Sequence, residues 1–170
     1  MTMFEKKRLS KEAVDAALAK AERYRLLNEP SEAESICRDV LDVDPASAAA
    51  RVMLLLSLTD QFGAESGDAF AAARALVPQL ADDYQRAYYA GIIFERWGKA
   101  LFHRHSHGSG AAVHHWLTEA MKKYEAAEAL RKPGDDDALL RWNACARMLE
   151  RHPELAASHQ AGVEGPITSE

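Results

Sequence analysis

Apolar residues along this chain recur at intervals of three and four, and this period constrains the fold more than any other feature. Alternation at intervals of two, which half-buried strands require, is nearly absent. Most of the 9 glycines and 6 prolines fall between the periodic segments rather than within them. Alanine, leucine, glutamate, lysine and arginine, which are good helix formers, fill the segments themselves. The sequence therefore predicts an all-α fold.

Start and stop signals divide the chain into helices that come in pairs. Ser31, with Glu34 three residues later, has the pattern of a capping box. The Asp44-Pro45 dipeptide has the pattern of an N-cap followed by proline at the first helical position. Asp82 or Asp83 is expected to open a long helix, which the Gly108-Ser109-Gly110 tripeptide ends. Helices that follow one another in pairs are typical of proteins built from internal repeats.

The helix pairs recur at an interval of 34 to 36 residues, with a small residue and an aromatic residue at matching places. The matching positions are Ala21, Tyr24, Ala33, Pro45, Ala69, Gly91, Phe94, Ala120, Tyr124 and Pro133. This pattern resembles a divergent tetratricopeptide repeat (TPR), whose 34-residue unit has a small residue, a tyrosine, an alanine and a closing proline in that order. Ala17, Lys20 and Cys37 depart from the tryptophan, leucine and phenylalanine of that family.

The resemblance covers roughly residues 14–151 and implies a right-handed superhelical array of about three helical hairpins plus a C-terminal capping helix. Phe94 to Ala120 spans 26 residues, against 9 from Tyr24 to Ala33, so the third hairpin is predicted to be the longest. We expect an N-terminal segment over residues 1–9, the helical domain over 10–151, and a disordered polar tail over 152–170. A plain helical bundle with accidental spacing is the alternative.

TPR arrays bind peptides of other proteins on a concave face that is lined mainly by the first helix of each pair. The family register implies these groove residues: Leu18, Glu22, Arg25, Val52, Leu56, Thr59, Tyr88, Ile92, Glu95 and Arg96. The basic residues that clamp a carboxylate in one TPR subclass are missing. The resemblance thus implies an adaptor or scaffold, with no enzymatic activity, that takes a peptide or amphipathic helix of a partner protein. The alternatives are self-association, occupation of the groove by residues 1–7, and an ordinary core role for these residues.

Five of the seven histidines lie between Phe102 and Trp116. His103 and His107 are four apart and share a helix face, and His114 and His115 begin the returning helix. Three imidazoles from two facing helices form an arrangement that zinc, nickel or copper accepts. The alternative function is therefore a metal-binding protein that uses this histidine-rich tip. A solvated or partner-contacting tip explains the same residues.

Charge and composition narrow the classes of function. The formal net charge is −5, which argues against a nucleic-acid partner. No apolar run reaches the roughly 18 residues of a membrane span, and no signal core follows the N-terminus, so a cytoplasmic location is expected. Cys37 and Cys145 are predicted to be buried, reduced thiols. The Asp135-Asp136-Asp137 run is better explained as an acidic helix start than as a cation site.

Overall fold

The structure is a computed structural model that describes residues 4–63, 68–104 and 109–156. These residues form helices and turns, with no strand among them, which confirms the all-α prediction. The chain divides into two compact units, Met1–Leu80 and Ala81–Glu170. No helix within the described ranges combines the length and the apolar content that crossing a bilayer demands.

The described part of the first unit contains four α-helices: α1 (Val14–Leu26), α2 (Pro30–Val43), α3 (Ala48–Thr59) and α4 (Asp68–Leu76). Helix α1 packs against α2, α3 packs against both, and α4 packs against α3. The core of the first unit is built largely from small and branched residues, among them Ala21, Ala33, Cys37, Leu54 and Leu55. Alanines at the crossing points let the helices approach closely, and each fully buried leucine contributes about 1.5 to 3 kcal/mol.

The described part of the second unit contains three α-helices: α5 (Asp83–His103), α6 (Gly110–Leu130) and α7 (Asp137–Arg151). Helix α6 packs against both α5 and α7. Helices α5 and α6 are 21 residues each and are the longest described, as predicted for the third hairpin. A Cβ on Gly91 would lie 2.5 Å from Cε1 of Tyr124. Only glycine at this position lets the buried ring of α6 lie directly against the backbone of α5.

The positions of several helix ends differ from the prediction. Helix α2 begins at Pro30, so Ser31 lies inside its first turn and the expected capping box is wrong. Proline is suited to the first helical position, and the helix therefore begins two residues earlier than the capping box predicted. Helix α3 is capped by Ser47, whose Oγ accepts from the N–H of Ala50 at 3.2 Å, rather than by Asp44. The predicted cap at Asp82 is confirmed, since its carboxylate accepts from the N–H of Gln85 at 2.8 Å.

Both ends of the described chain bear on the predicted boundaries of the helical domain. The ring of Phe4 is 80% exposed, so it does not fill a groove, and residues 1–3 lie outside the described residues. Residues 153–156 are helical and Leu155 is buried, so order continues past the expected boundary at residue 152. The disorder predicted for residues 157–170 concerns residues that the structure does not describe.

Cys37 and Cys145 are buried free thiols, as predicted, and burial raises their pKa to about 11 and about 12 respectively.

Candidate functional site

Three tyrosines on the first turns of α5 form one wall of a cleft in the second unit. Tyr84 and Tyr88 are four residues apart, so they lie on one helix face, and their rings stack with centroids 5.8 Å apart at an angle of 6°. Tyr89 meets Tyr88 edge to face, with centroids 5.2 Å apart. All three side chains are half-buried. The wall is therefore a continuous aromatic surface that remains partly open to solvent.

The connection between α6 and α7 forms the opposite wall. Gly134 adopts a φ of 86°, a left-handed value that favours glycine, and the N–H of Asp135 donates to the carbonyl of Lys132 at 3.1 Å. This turn brings the side chains of residues 130, 132, 135 and 137 to face the tyrosines. The cleft between the two walls has a volume of about 550 Å³. Leu130 lines it and is 53% exposed, which leaves an apolar side chain available at its edge.

The cleft is acidic. Its lining includes four aspartates, Asp82, Asp83, Asp135 and Asp137, against a single lysine, Lys132. Burial, together with a hydrogen bond to Asp135, raises the pKa of Tyr84 well above its usual range, so this phenol stays neutral at physiological pH. Because the phenol donates to Asp135, the carboxylate is held beside the aromatic wall. Negative charge and aromatic faces thus occur together in one cleft.

A buried network behind the cleft holds the aromatic wall in place. Glu95 is 2% exposed, and one of its oxygens accepts from the Tyr124 hydroxyl at 2.5 Å and from Arg141 at 3.2 Å. Lys99 donates to its other oxygen. Arg141 also donates from Nε to the hydroxyl of Tyr88 at 3.4 Å. Arg141 therefore ties α7 both to the cleft wall and to the centre of the unit.

The ionisation of Glu95 follows from these contacts. Burial by itself would raise the pKa of its carboxyl group. Hydrogen bonds from Lys99 and Tyr124, with the charges of Lys99 and Arg141, outweigh burial and hold the pKa below its usual range. A carboxylate that is buried, ionised and satisfied on both oxygens is poorly suited to accept a proton from a substrate. Its role here is to support the wall.

A second charged pocket lies at the other end of α5 and α7. Its volume is about 420 Å³, and its lining is basic and partly apolar: Lys99, Phe102, His103, Ala144, Arg147, Met148, Arg151 and His152. Both helices end here, and basic side chains near helix C-termini are favoured by the helix dipole. The second unit is thus acidic where α5 and α7 begin and basic where they end.

The groove residues expected in the first unit are only partly accessible. Leu18, Val52 and Leu56 are half-buried, and Glu22 is exposed. Thr59 is buried and donates its hydroxyl to the carbonyl of Leu56 at 2.8 Å, so it offers no contact to a partner.

Among the charged groove residues expected in the first unit, Arg25 is held in place by an ion pair. Its Nε donates to Asp60 at 2.7 Å in a half-buried ion pair. Arg25 and Glu22 come together in a shallow pocket of about 260 Å³, with Leu26, Asn28 and Asp60. That pocket is small, and its one arginine is already paired.

The groove residues expected in the second unit divide into two groups. Tyr88 lines the cleft, and Arg96 is half-buried. Ile92 and Glu95 are each 2% exposed, which corrects the expectation that they face a bound peptide. The family register implied that Ile92 and Glu95 line an open groove. In the structure, Tyr124 of α6 and Arg141 of α7 cover Glu95.

Three of the four histidines of the expected metal site lie within the described residues. His103 is exposed at the end of α5, while His114 and His115 lie on the first turns of α6. His107 lies outside the described residues. Within residues 4–63, 68–104 and 109–156, no group of three or more histidine, cysteine, aspartate or glutamate side chains is placed to hold a metal ion.

Comparison with known proteins found no matching family model, and no significant match among curated proteins or solved structures. Sequence reasoning placed only Tyr88 in the region of the cleft. It missed Tyr84, Tyr89 and Leu130, and it assigned Asp135 and Asp137 to a helix start alone. The signals were a tyrosine pair spaced by four at the start of a helix and an acidic run directly after a Pro-Gly turn.

Proposed function

We propose that this protein is a protein-interaction module of the adaptor or scaffold class, and that the tyrosine-lined cleft of its second unit receives a segment of a partner protein. The observation that carries the proposal is an aromatic wall beside an exposed leucine in a cleft of about 550 Å³. Tyrosines and partly exposed leucines in concave sites are typical of surfaces that bind other molecules. The resemblance to TPR proteins supports the same class.

The TPR-like superhelical arrangement belongs to this proposal. Two features of the chain support it: helices that follow one another in hairpin order, and the contact of Gly91 with Tyr124, which stand at the small and second-helix aromatic positions of the repeat. A metal-handling role at the histidine tip is the rival proposal, and no contact among the described residues favours it.

The test is selection of peptides from a random displayed library on the intact protein, followed by fluorescence anisotropy with the enriched sequences. We expect Leu130→Ser to weaken binding about tenfold or more, because Leu130 lines the cleft. Leu140→Ser is the matched control, since Leu140 is 61% exposed on α7 and lies outside the cleft lining. Failure to enrich any peptide, or equal affinity for both variants, contradicts the proposal.

A further inference from the structure

The aromatic wall and the aspartates of the cleft specify the chemistry of the segment it receives. We infer that the occupant is a basic segment of a partner protein, with an arginine or lysine side chain inserted between Tyr84, Tyr88 and the aspartates. This inference rests on the proposed function and deepens it.

The tyrosine rings are the part of the cleft that the local helix chemistry leaves unexplained. Aspartates at the starts of α5 and α7 are accounted for by capping and by the helix dipole. Neither effect calls for Tyr84, Tyr88 and Tyr89 to be collected at the same place with their rings half-buried. Aromatic faces attract cations through the ring quadrupole, by about 0.5 to 1 kcal/mol at exposed sites and about 2 kcal/mol or more when desolvated. The rings therefore point to a cationic guest independently of the carboxylates.

The charge balance agrees in sign. Each of the two helix N-termini near the cleft carries the equivalent of roughly half a positive charge, which by itself would favour an anion. Four aspartates against one lysine line the cleft, so the carboxylates outweigh both the lysine and the two dipoles. Asp83 is partly neutralised by Arg86 at 2.6 Å, whereas Asp135 and Asp137 lie on the facing wall. A cation between the two walls is attracted from both sides.

The apolar edge suits a long basic side chain rather than a bare ion. Arginine and lysine carry three or four methylene groups beneath the charged head, and these pack against apolar surface while the head stays with its polar partners. Leu130 supplies such a surface at the cleft edge. A second copy of this chain is a poorer occupant, because each copy has a formal net charge of −5 and two copies repel one another.

The test is titration of the isotopically labelled full-length protein with four decapeptides, followed by backbone amide shifts. The peptides share an alanine-glycine frame with one central leucine followed by arginine, lysine, citrulline or glutamate. Citrulline keeps the shape of arginine and lacks its charge. We expect the arginine peptide to bind about tenfold or more tighter than the citrulline peptide, the lysine peptide to fall between them, and the glutamate peptide to bind weakest.

Two variants locate the effect. Asp137→Asn removes a carboxylate of the cleft, and we expect it to weaken the arginine peptide about threefold while leaving the citrulline peptide unchanged. Asp136→Asn is the matched control, because Asp136 pairs with Arg131 at 2.8 Å and does not line the cleft. Equal affinities for arginine and citrulline, or equal effects of the two variants, overturn the inference.

The outcomes also separate this inference from the function on which it rests. If library selection yields uncharged or acidic peptides that Leu130→Ser releases, the adaptor function stands and the basic specificity is refuted. If no peptide binds in either experiment, both proposals fail. A concentration-dependent dimer that Asp137→Asn dissolves and that the arginine peptide does not displace identifies a second copy as the occupant, and it overturns the inference.

Discussion

Substitution of Gly91 by alanine tests how tightly the second unit is packed around Tyr124. Alanine at a helix interior is favoured over glycine by about 1 kcal/mol, so propensity alone predicts stabilisation. The new Cβ, however, would lie 2.5, 2.7 and 3.0 Å from three atoms of the Tyr124 ring. That ring is fully buried, so it has little room to move, and overpacking of this kind costs about 1 to 3 kcal/mol. Movement of the ring also strains the hydrogen bond to Glu95, which is worth about 1.5 to 3 kcal/mol because its acceptor is charged.

The net expectation is that Gly91→Ala lowers the free energy of unfolding by about 1 to 3 kcal/mol. Gly98→Ala is the matched control on the same helix, because its Cβ would meet nothing closer than 3.3 Å. Contacts of 3.3 to 3.4 Å with Trp116 and Leu117 require these neighbours to shift by a few tenths of an ångström, which offsets part of the propensity gain of up to about 1 kcal/mol. We therefore expect Gly98→Ala to change the free energy of unfolding less than Gly91→Ala does. Trp97, Trp116 and Trp142, the three tryptophans of the chain, all lie in the second unit, so urea titration followed by tryptophan fluorescence reports on this unit.

Two results would refute this reasoning. The first is a change in the free energy of unfolding by Gly91→Ala equal to that by Gly98→Ala, which would mean that the Tyr124 ring does not lie against α5. The second comes from a double-mutant cycle with Tyr124→Leu. If the cost of Gly91→Ala is the same in the presence and absence of the tyrosine ring, the two positions are not in contact.

Two further predictions concern Glu95 and the histidines. Glu95→Gln should lower the free energy of unfolding at neutral pH by about 1 to 3 kcal/mol, because Lys99 and Arg141 lose their ionised partner. Since the folded pKa of Glu95 is depressed, its contribution is complete above the ordinary value of 4.5 and is lost as pH falls through the folded pKa. The gap between wild type and variant in urea unfolding should therefore narrow below that value, and a gap that is constant with pH would contradict the assignment. For the histidines, we expect micromolar zinc to leave the melting temperature of the untagged protein unchanged. A zinc-dependent rise that His103→Ala abolishes would favour the metal-handling proposal instead.

The sequence was sufficient to predict the helices and the order of small and aromatic residues, but it did not show which side chains these residues contact. The pattern placed Gly91 at a small-residue position of the repeat, and the structure shows that the backbone at Gly91 lies directly against Tyr124 of α6. Phe94, the aromatic residue of the same pattern, packs against Trp116 with ring centroids 5.2 Å apart, a contact that the pattern did not predict. Local periodicity identifies the face of a helix that is apolar, whereas the identity of its neighbour depends on the tertiary arrangement of several helices.

The cleft was harder to predict because its two walls are far apart in sequence. Tyr84 and Asp135 are separated by 51 positions, and each has an ordinary local explanation as a helix aromatic or a helix cap. Glu95 was assigned to an open groove for a related reason. Nothing near it in sequence indicates that Arg141, 46 positions away, reaches across to bury and pair it. Long-range charge pairs of this kind have no local signature.

The separation of charge along α5 and α7 has a consequence for how the proposed basic partner would approach. The acidic cleft and the basic pocket lie at opposite ends of helices whose length, in α7, is roughly 20 Å at 1.5 Å per residue. That distance exceeds the Debye length of about 8 Å at physiological ionic strength, so the two ends act on their surroundings separately, and each acts strongly only at short range. A basic segment that diffuses near the second unit is attracted by the acidic cleft and repelled by the basic pocket before any side chains come into contact. For the proposed basic partner, orientation would therefore be selected during the encounter, and the association rate should fall with added salt more steeply than the dissociation rate rises.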